Sequence, residues 1–138
     1  MPLPPESTAL LHAAERAAHS AHAPYSRLNV GAAVRSGSGA VYAGCNVENA
    51  AFPLGSCAEA NAIAAAVLAE GHGFTLLEVA ISAHDADGHA VTIPPCGGCR
   101  QRIGEFGPHA QVHFATADGG TRTLRLDALL PESFRLEA

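Results

Sequence analysis

The sequence predicts an α/β sandwich in which helices cover a sheet, and three observations carry that expectation. Segments with helical apolar spacing alternate with short runs rich in Val and Ile, the order that builds a sheet covered by helices. Clusters of Gly, Ser and Asp separate the strand candidates and supply turn chemistry. One Ala-rich stretch, 58–68, is apolar on nearly every side, the pattern of a buried helix rather than a surface one. No repeat, linker or low-complexity tract interrupts the chain, so residues 1–138 read as a single domain.

The elements follow in order. Ser7 is expected to cap the first helix, with Pro4 and Pro5 just outside it. Leu10, Ala13, Ala14, Ala17, Ala18 and Ala21 then recur at helical spacing, an amphipathic helix that ends before Pro24. Runs 30–34 and 41–47 flank Ser36-Gly37-Ser38-Gly39 and read as a β-hairpin. The helix over 58–68 is stopped by Gly71. Residues 76–82 form a strand, and Asp85-Ala86-Asp87-Gly88-His89 a turn. A short helix over 97–106 ends at Gly107 and Pro108. Strands follow over 112–115 and 121–126, and Asp127 is expected to cap a last helical turn before Pro131.

Composition narrows the function classes. The chain has 138 residues, 8 basic and 13 acidic, for a net charge of -5; every basic residue is Arg. That balance argues against gripping a nucleic acid polymer by its phosphates and against binding an anionic membrane surface. A hydrophobic fraction of 48% with 15% charged residues excludes intrinsic disorder. No apolar run reaches the ~18 residues of a membrane span. Residues 1–8 hold three prolines and no basic residue, unlike a signal peptide, so a cytoplasmic location is expected. Trp is absent and aromatics are 5%, so the core must come from Ala, Val, Leu and Ile. The eight histidines lack ligand spacing and read as exposed or locally bonded. Asp85-x-Asp87-Gly88 opens like a calcium loop, but its twelfth position is Cys96, where a bidentate Glu is required.

Three of the 4 cysteines carry the chemistry. Pro95-Cys96-Gly97-Gly98-Cys99 is a C-x-x-C, which alone fits a redox pair or half of a structural zinc site. Cys57 opens the Ala-rich helix, and Glu59 follows two positions later. C-x-E followed by P-C-x-x-C matches a catalytic zinc pattern. Three protein ligands leave a fourth zinc position for water, whose pKa falls towards ~7, and a carboxylate that is not a ligand can move protons. Both ligand groups sit at predicted helix N-termini, where partial positive charge favours thiolate. A closed four-thiolate site with Cys45 is the competing reading; Cys45 lies in a predicted strand, where free Cys is commonly a small buried residue.

With these motifs the chain resembles the homotetrameric zinc-dependent cytidine deaminase family. The similarity runs from about Pro24 to Phe134. It is carried by Pro24-Tyr25-Ser26, Val30-Gly31-Ala32-Ala33, Asn46-Val47-Glu48-Asn49-Ala50, both cysteine motifs with Arg100-Gln101, and Leu129-Leu130-Pro131 followed by Phe134. The resemblance implies a three-layer α/β/α sandwich with a mixed five-stranded sheet. It implies one Zn²⁺ per chain on Cys57, Cys96 and Cys99, with Glu59 moving a proton from water to ring N3 and then to the leaving amine. Asn46 and Glu48 would hold the ribose, the backbone of Ala58 would read the base, and Leu28 and Phe52 would line the pocket. Phe134 would stack on the ring from a neighbouring subunit of a tetramer. The implied reaction is deamination of cytidine or 2′-deoxycytidine in pyrimidine salvage.

Three positions depart from the common pattern. Ala60 stands where many relatives carry an Arg that donates to the zinc thiolates; the helix N-termini, helped by Arg100 or Asn61, are expected to compensate. Leu28 replaces a Phe, and Phe52 replaces a Tyr. These changes raise the alternatives of a modified or different aminated nucleoside or base, or a nucleoside antibiotic of the blasticidin type. A polynucleotide editor would want a basic groove and stacking aromatics, which the composition withholds. A non-catalytic zinc-stabilised protein would have no use for Glu59. Arg100 and Arg102 are expected to satisfy carbonyls or interface carboxylates.

Overall fold

The computed structural model describes residues 2–137. Its strands are β1 (Asn29–Ser36), β2 (Val41–Cys45), β3 (Leu76–His84), β4 (Ala90–Val91), β5 (Gln111–Ala115) and β6 (Thr121–Arg125). Its helices are α1 (Pro5–Ala18), α2 (Ala58–Glu70), α3 (Gly97–Phe106) and the short α4 (Leu126–Leu129). Five strands pair in the order β2-β1-β3-β5-β6, with β3 and β5 parallel and the other pairs antiparallel. The sheet is therefore mixed, as expected, but it has six strands rather than five. The extra one is the two-residue β4, which pairs β3 where the Asp85–His89 turn folds the chain back.

Side-chain alternation along β1 separates the two faces. Ala33 packs with Ala80 of β3 against Leu10 and Ala14 of α1. Val30, Ala32 and Val34 face the other way and join Ala58, Ala62, Val79, Ile81 and Ile103. The sheet thus lies between α1 on one side and α2 with α3 on the other. Small residues let the helices sit close. A Cβ added to Gly31 would lie 1.8 Å from the Ala14 carbonyl oxygen of α1. One added to Gly44 would lie 2.4 Å from the Ala62 nitrogen and 2.8 Å from the Ala58 oxygen of α2.

Four sequence expectations are corrected. First, α1 begins at Pro5, not after Ser7. Pro suits the first helical position because no N–H is needed there. Ser7 is buried inside the helix, donating its hydroxyl to Glu78 Oε2 at 2.7 Å. Second, α1 ends at Ala18, before Pro24 as expected but without Ala21. The chain beyond it pairs instead with the segment after β2: the His22 N–H donates to the Asn46 carbonyl, and the Glu48 N–H donates to His22. Third, Arg125 takes the position before α4, and no side chain there makes a capping hydrogen bond. Asp127 lies within the first turn and accepts from Arg125 at 2.9 Å. Fourth, α2 buries only one side: Ala62, Ile63 and Ala66 are buried, but Leu68 is 89% exposed.

A partly buried polar network lies between the sheet and α1. Glu78 accepts from Ser7 and from His113 Nε2 at 2.9 Å, and Arg35 Nε stands 3.5 Å away. The other His113 nitrogen, Nδ1, is 2.8 Å from Thr123 Oγ1. Burial alone would raise the Glu78 carboxyl, but the Ser7 and His113 hydrogen bonds and the His113 and Arg35 charges hold it below its ordinary value. A carboxyl lowered by folding stabilises the native state above its unfolded pKa, and that contribution is lost as pH falls through the folded pKa. Glu78→Gln is therefore expected to cost about 1–3 kcal/mol near neutral pH. Urea unfolding at pH 7 and in the acid range checks this: the gap to wild type should shrink in acid. A gap of equal size at both pH values would assign the loss to packing rather than charge.

Candidate active site

Two helix starts converge on one point. Cys57 precedes α2 in an extended conformation, and Cys96 does the same for α3. An extended residue at this position turns the chain into the helix and directs its side chain over the first turn. Cys96 Sγ accepts from the Cys99 N–H at 3.4 Å. The Sγ atoms of Cys57, Cys96 and Cys99 lie within 4.8 Å of one another, and Cys57 and Cys96 are 4.0 Å apart. Zn–S bonds of ~2.3 Å in a tetrahedral set put sulfurs roughly 3.8 Å apart, so the donors fit a zinc ion. Cys45, half-buried at the end of β2, is not part of the group, so the set has three thiols rather than four.

The cluster borders a cleft of about 310 Å³ that Cys57, Cys96 and Glu59 help to line. Glu59 is 4% exposed. Burial pushes its carboxyl above the ordinary range, opposed by hydrogen bonds from its own N–H and Cys99 and by the charge of Arg102. Burial likewise pushes up the Cys57 and Cys99 thiols. Cys96 is also partly desolvated, but hydrogen bonds from the Cys99 N–H and the neighbouring thiols hold it below its ordinary value. Several acidic groups crowded together out of water form a site that a cation completes.

Leu28, Asn46, Glu48, Phe52 and Ala58 all border the same cleft. Asn46 also ties the strand beside it, accepting from the Val30 N–H at 2.9 Å and donating to the Leu28 carbonyl at 2.8 Å. Glu48 Oε1 accepts from the N–H groups of Tyr25 and Ser26, and Oε2 accepts the Ser26 hydroxyl. The Ser26 hydroxyl and N–H are the main causes that hold the Glu48 carboxyl below its usual range. Both residues thus anchor the chain after α1 while facing the cleft. Phe52 is 74% exposed and meets Tyr25 edge-on at 5.9 Å. Phe134 lies outside the cleft of its own chain and is 69% exposed.

Sequence reasoning missed Ile93 and Pro94, which also border the cleft; the available signal was their position directly before Pro95-Cys96. It also misassigned the cation beside the thiols. Arg100 donates instead to the carbonyls of Pro95 and Leu129, both at 2.9 Å. Asn61 donates to the Cys45 carbonyl and to Ser56. The guanidinium at the cluster belongs to Arg102, whose Nη1 stands 3.7 Å from Cys99 Sγ.

Comparison with known proteins agrees with this geometry. Residues 5–116 match the family model described as the cytidine and deoxycytidylate deaminase zinc-binding region. A cytidine deaminase of Mycobacterium tuberculosis is 40% identical over 124 residues, covering 90% of this chain and 86% of the relative. One from Sporosarcina psychrophila is 35% identical, covering 93% and 90%. The crystal structure of cytidine deaminase from Burkholderia pseudomallei superposes with a TM-score of 0.80 at 38% identity, covering 92% of this chain and 98% of that one. Ligand spacing, fold and sequence similarity over most of the chain agree, and the protein belongs to the zinc-dependent cytidine and deoxycytidylate deaminase family.

Proposed function

We propose that this protein hydrolytically deaminates cytidine and 2′-deoxycytidine to uridine and 2′-deoxyuridine, releasing ammonia. The observation that carries the reading is a buried Glu59 beside three clustered thiols at a cleft bordered by Asn46 and Glu48. Cys57, Cys96 and Cys99 hold one zinc ion, which supplies Lewis acidity and an activated water when bound. Glu59 accepts a proton from the attacking water and delivers it to ring N3; it then takes the second proton from the oxygen now bonded to C4 and passes it to the amine, which leaves as ammonia as the C4 carbonyl forms. Asn46 and Glu48 hydrogen-bond the sugar hydroxyls; a carboxylate fixed by backbone N–H groups needs no reorganisation to receive a diol. The Ala58 backbone reads the base, and Leu28 and Phe52 set the shape of its pocket.

Residues 1–138 act as one deaminase domain, working in the cytoplasm in pyrimidine salvage. The protein is a homotetramer in which Phe134 of one copy stacks on the base bound by another. Exposed apolar side chains support an assembly: Phe52, Leu54, Leu68 and Phe134 each lie 69% or more in solvent in the single chain, where a monomer gains nothing from them.

Zinc-loaded protein assayed over cytidine, 2′-deoxycytidine, substituted analogues and free bases tests the substrate. Cytidine or 2′-deoxycytidine should give the highest kcat/KM by at least about tenfold, a margin of roughly 1.4 kcal/mol in transition-state binding. A substituted nucleoside or nucleoside antibiotic outpacing both would mean that Leu28 and Phe52 have redirected the pocket.

A further inference from the structure

We propose that Arg102 is the positioning cation of the metal site, orienting the Cys99 sulfur and offsetting the surplus negative charge of the ligand set. The inference rests on the zinc-site reading above. Three thiolates against one divalent cation leave one negative charge, and Glu59 adds another. Ala60, beside Glu59, offers no cation, the chain contains no Lys, and Arg100 is engaged with two carbonyls. Arg102 fills that role by position. It lies three residues after Cys99 on α3, a spacing that places the two on one helix face. Its Nη1 is 3.7 Å from Cys99 Sγ, within N–H···S distance, while Cys99 itself is 0% exposed.

Two further observations support the assignment. No ion pair among the described residues engages Arg102, so its charge is not neutralised by a carboxylate contact. Gly98 leaves it room: a Cβ there would stand 3.3 Å from Arg102 Nη1. The guanidinium therefore lies over the first turn of α3, where a side chain at position 98 would crowd it. A donor hydrogen-bonded to a ligating sulfur fixes the ligand's rotamer and tunes its donor strength.

The test uses the zinc-loaded protein and the variants Arg102→Gln and Arg102→Lys. Zinc release to a competing chelator and the sulfur-to-metal charge-transfer band of the cobalt-substituted protein are read alongside circular dichroism. Arg102→Gln is expected to keep the native spectrum, bind zinc about 10-fold more weakly, and shift the cobalt band. Arg102→Lys should retain zinc better than Gln, because the charge survives while the planar fork is lost. Zinc affinity and a cobalt band unchanged in the Gln variant would overturn the proposal. Equal losses in Gln and Lys without a band shift would also overturn it, by assigning the effect to packing. A wild-type protein that holds no stoichiometric zinc would overturn the metal site itself, a failure distinguishable from the other two.

Discussion

Glu59→Gln should abolish most of the turnover while leaving the metal site filled. General acid–base catalysis by one positioned group contributes about 10²–10⁴-fold, and the proposed mechanism gives Glu59 both proton transfers, so kcat should fall towards the upper end of that range. Gln has nearly the same volume, so no void opens around a side chain that is 4% exposed. Glu59 is not one of the three clustered thiols, so zinc content should stay near one per chain. Ammonia release, metal analysis and nucleoside binding on the same preparation give the answer. Turnover within a few-fold of wild type would refute the proton shuttle. Loss of zinc would instead make Glu59 part of the metal's support.

Gly44→Ala is expected to damage both stability and the site. The added methyl would meet the Ala62 nitrogen at 2.4 Å and the Ala58 oxygen at 2.8 Å. Both are backbone atoms in the helix that starts at Cys57, so a rotamer change cannot relieve the clash. Overpacking of this kind costs about 1–3 kcal/mol or more. The helix must move outward, taking Ala58 and Glu59 with it, and a misplacement of about 1 Å can cost 10²-fold in rate. Gly31→Ala is the matched comparison. Its methyl would meet the Ala14 oxygen at 1.8 Å, but α1 carries none of the residues assigned to the cleft. Both variants should lose stability in urea, and only Gly44→Ala should also release zinc more readily. Equal zinc retention by the two would show that α2 adjusts without moving its first turn.

Much of the architecture was legible because its signals are local. The Ala-rich pattern and Gly71 bound α2 closely, and residues 97–106 coincide with α3. Turn chemistry at Ser36–Gly39 marked the hairpin of β1 and β2. The errors came where a distant partner decides. Ser7 has the chemistry of a cap, but Glu78 offers it a half-buried acceptor 71 positions away. Residues 19–24 could have continued α1, but pairing with Asn46 and Glu48 draws them off. The sequence groups His113 with exposed or locally bonded histidines, yet it is 3% exposed and hydrogen-bonded at both ring nitrogens to residues 10 and 35 positions away. Nothing in its neighbours distinguishes it, because its partners lie on other strands and on the far side of a turn.

The sequence by itself determined the thiol set, the nearby carboxylate and the helix starts that present them. Cys57-x-Glu59 and Cys96-x-x-Cys99 each sit within one turn of chain, and the helix geometry that orients them is a property of that turn. That Arg100 turns away from the thiols was decided only by the tertiary structure. Arg100 and Arg102 are two positions apart on α3, so they point to different faces of the helix. One meets the Leu129 carbonyl beside α4, and the other meets Cys99. Charge alone does not separate the two residues; packing against α4 draws Arg100 to the Leu129 carbonyl, while Arg102 stays over the turn of α3 that carries Cys99.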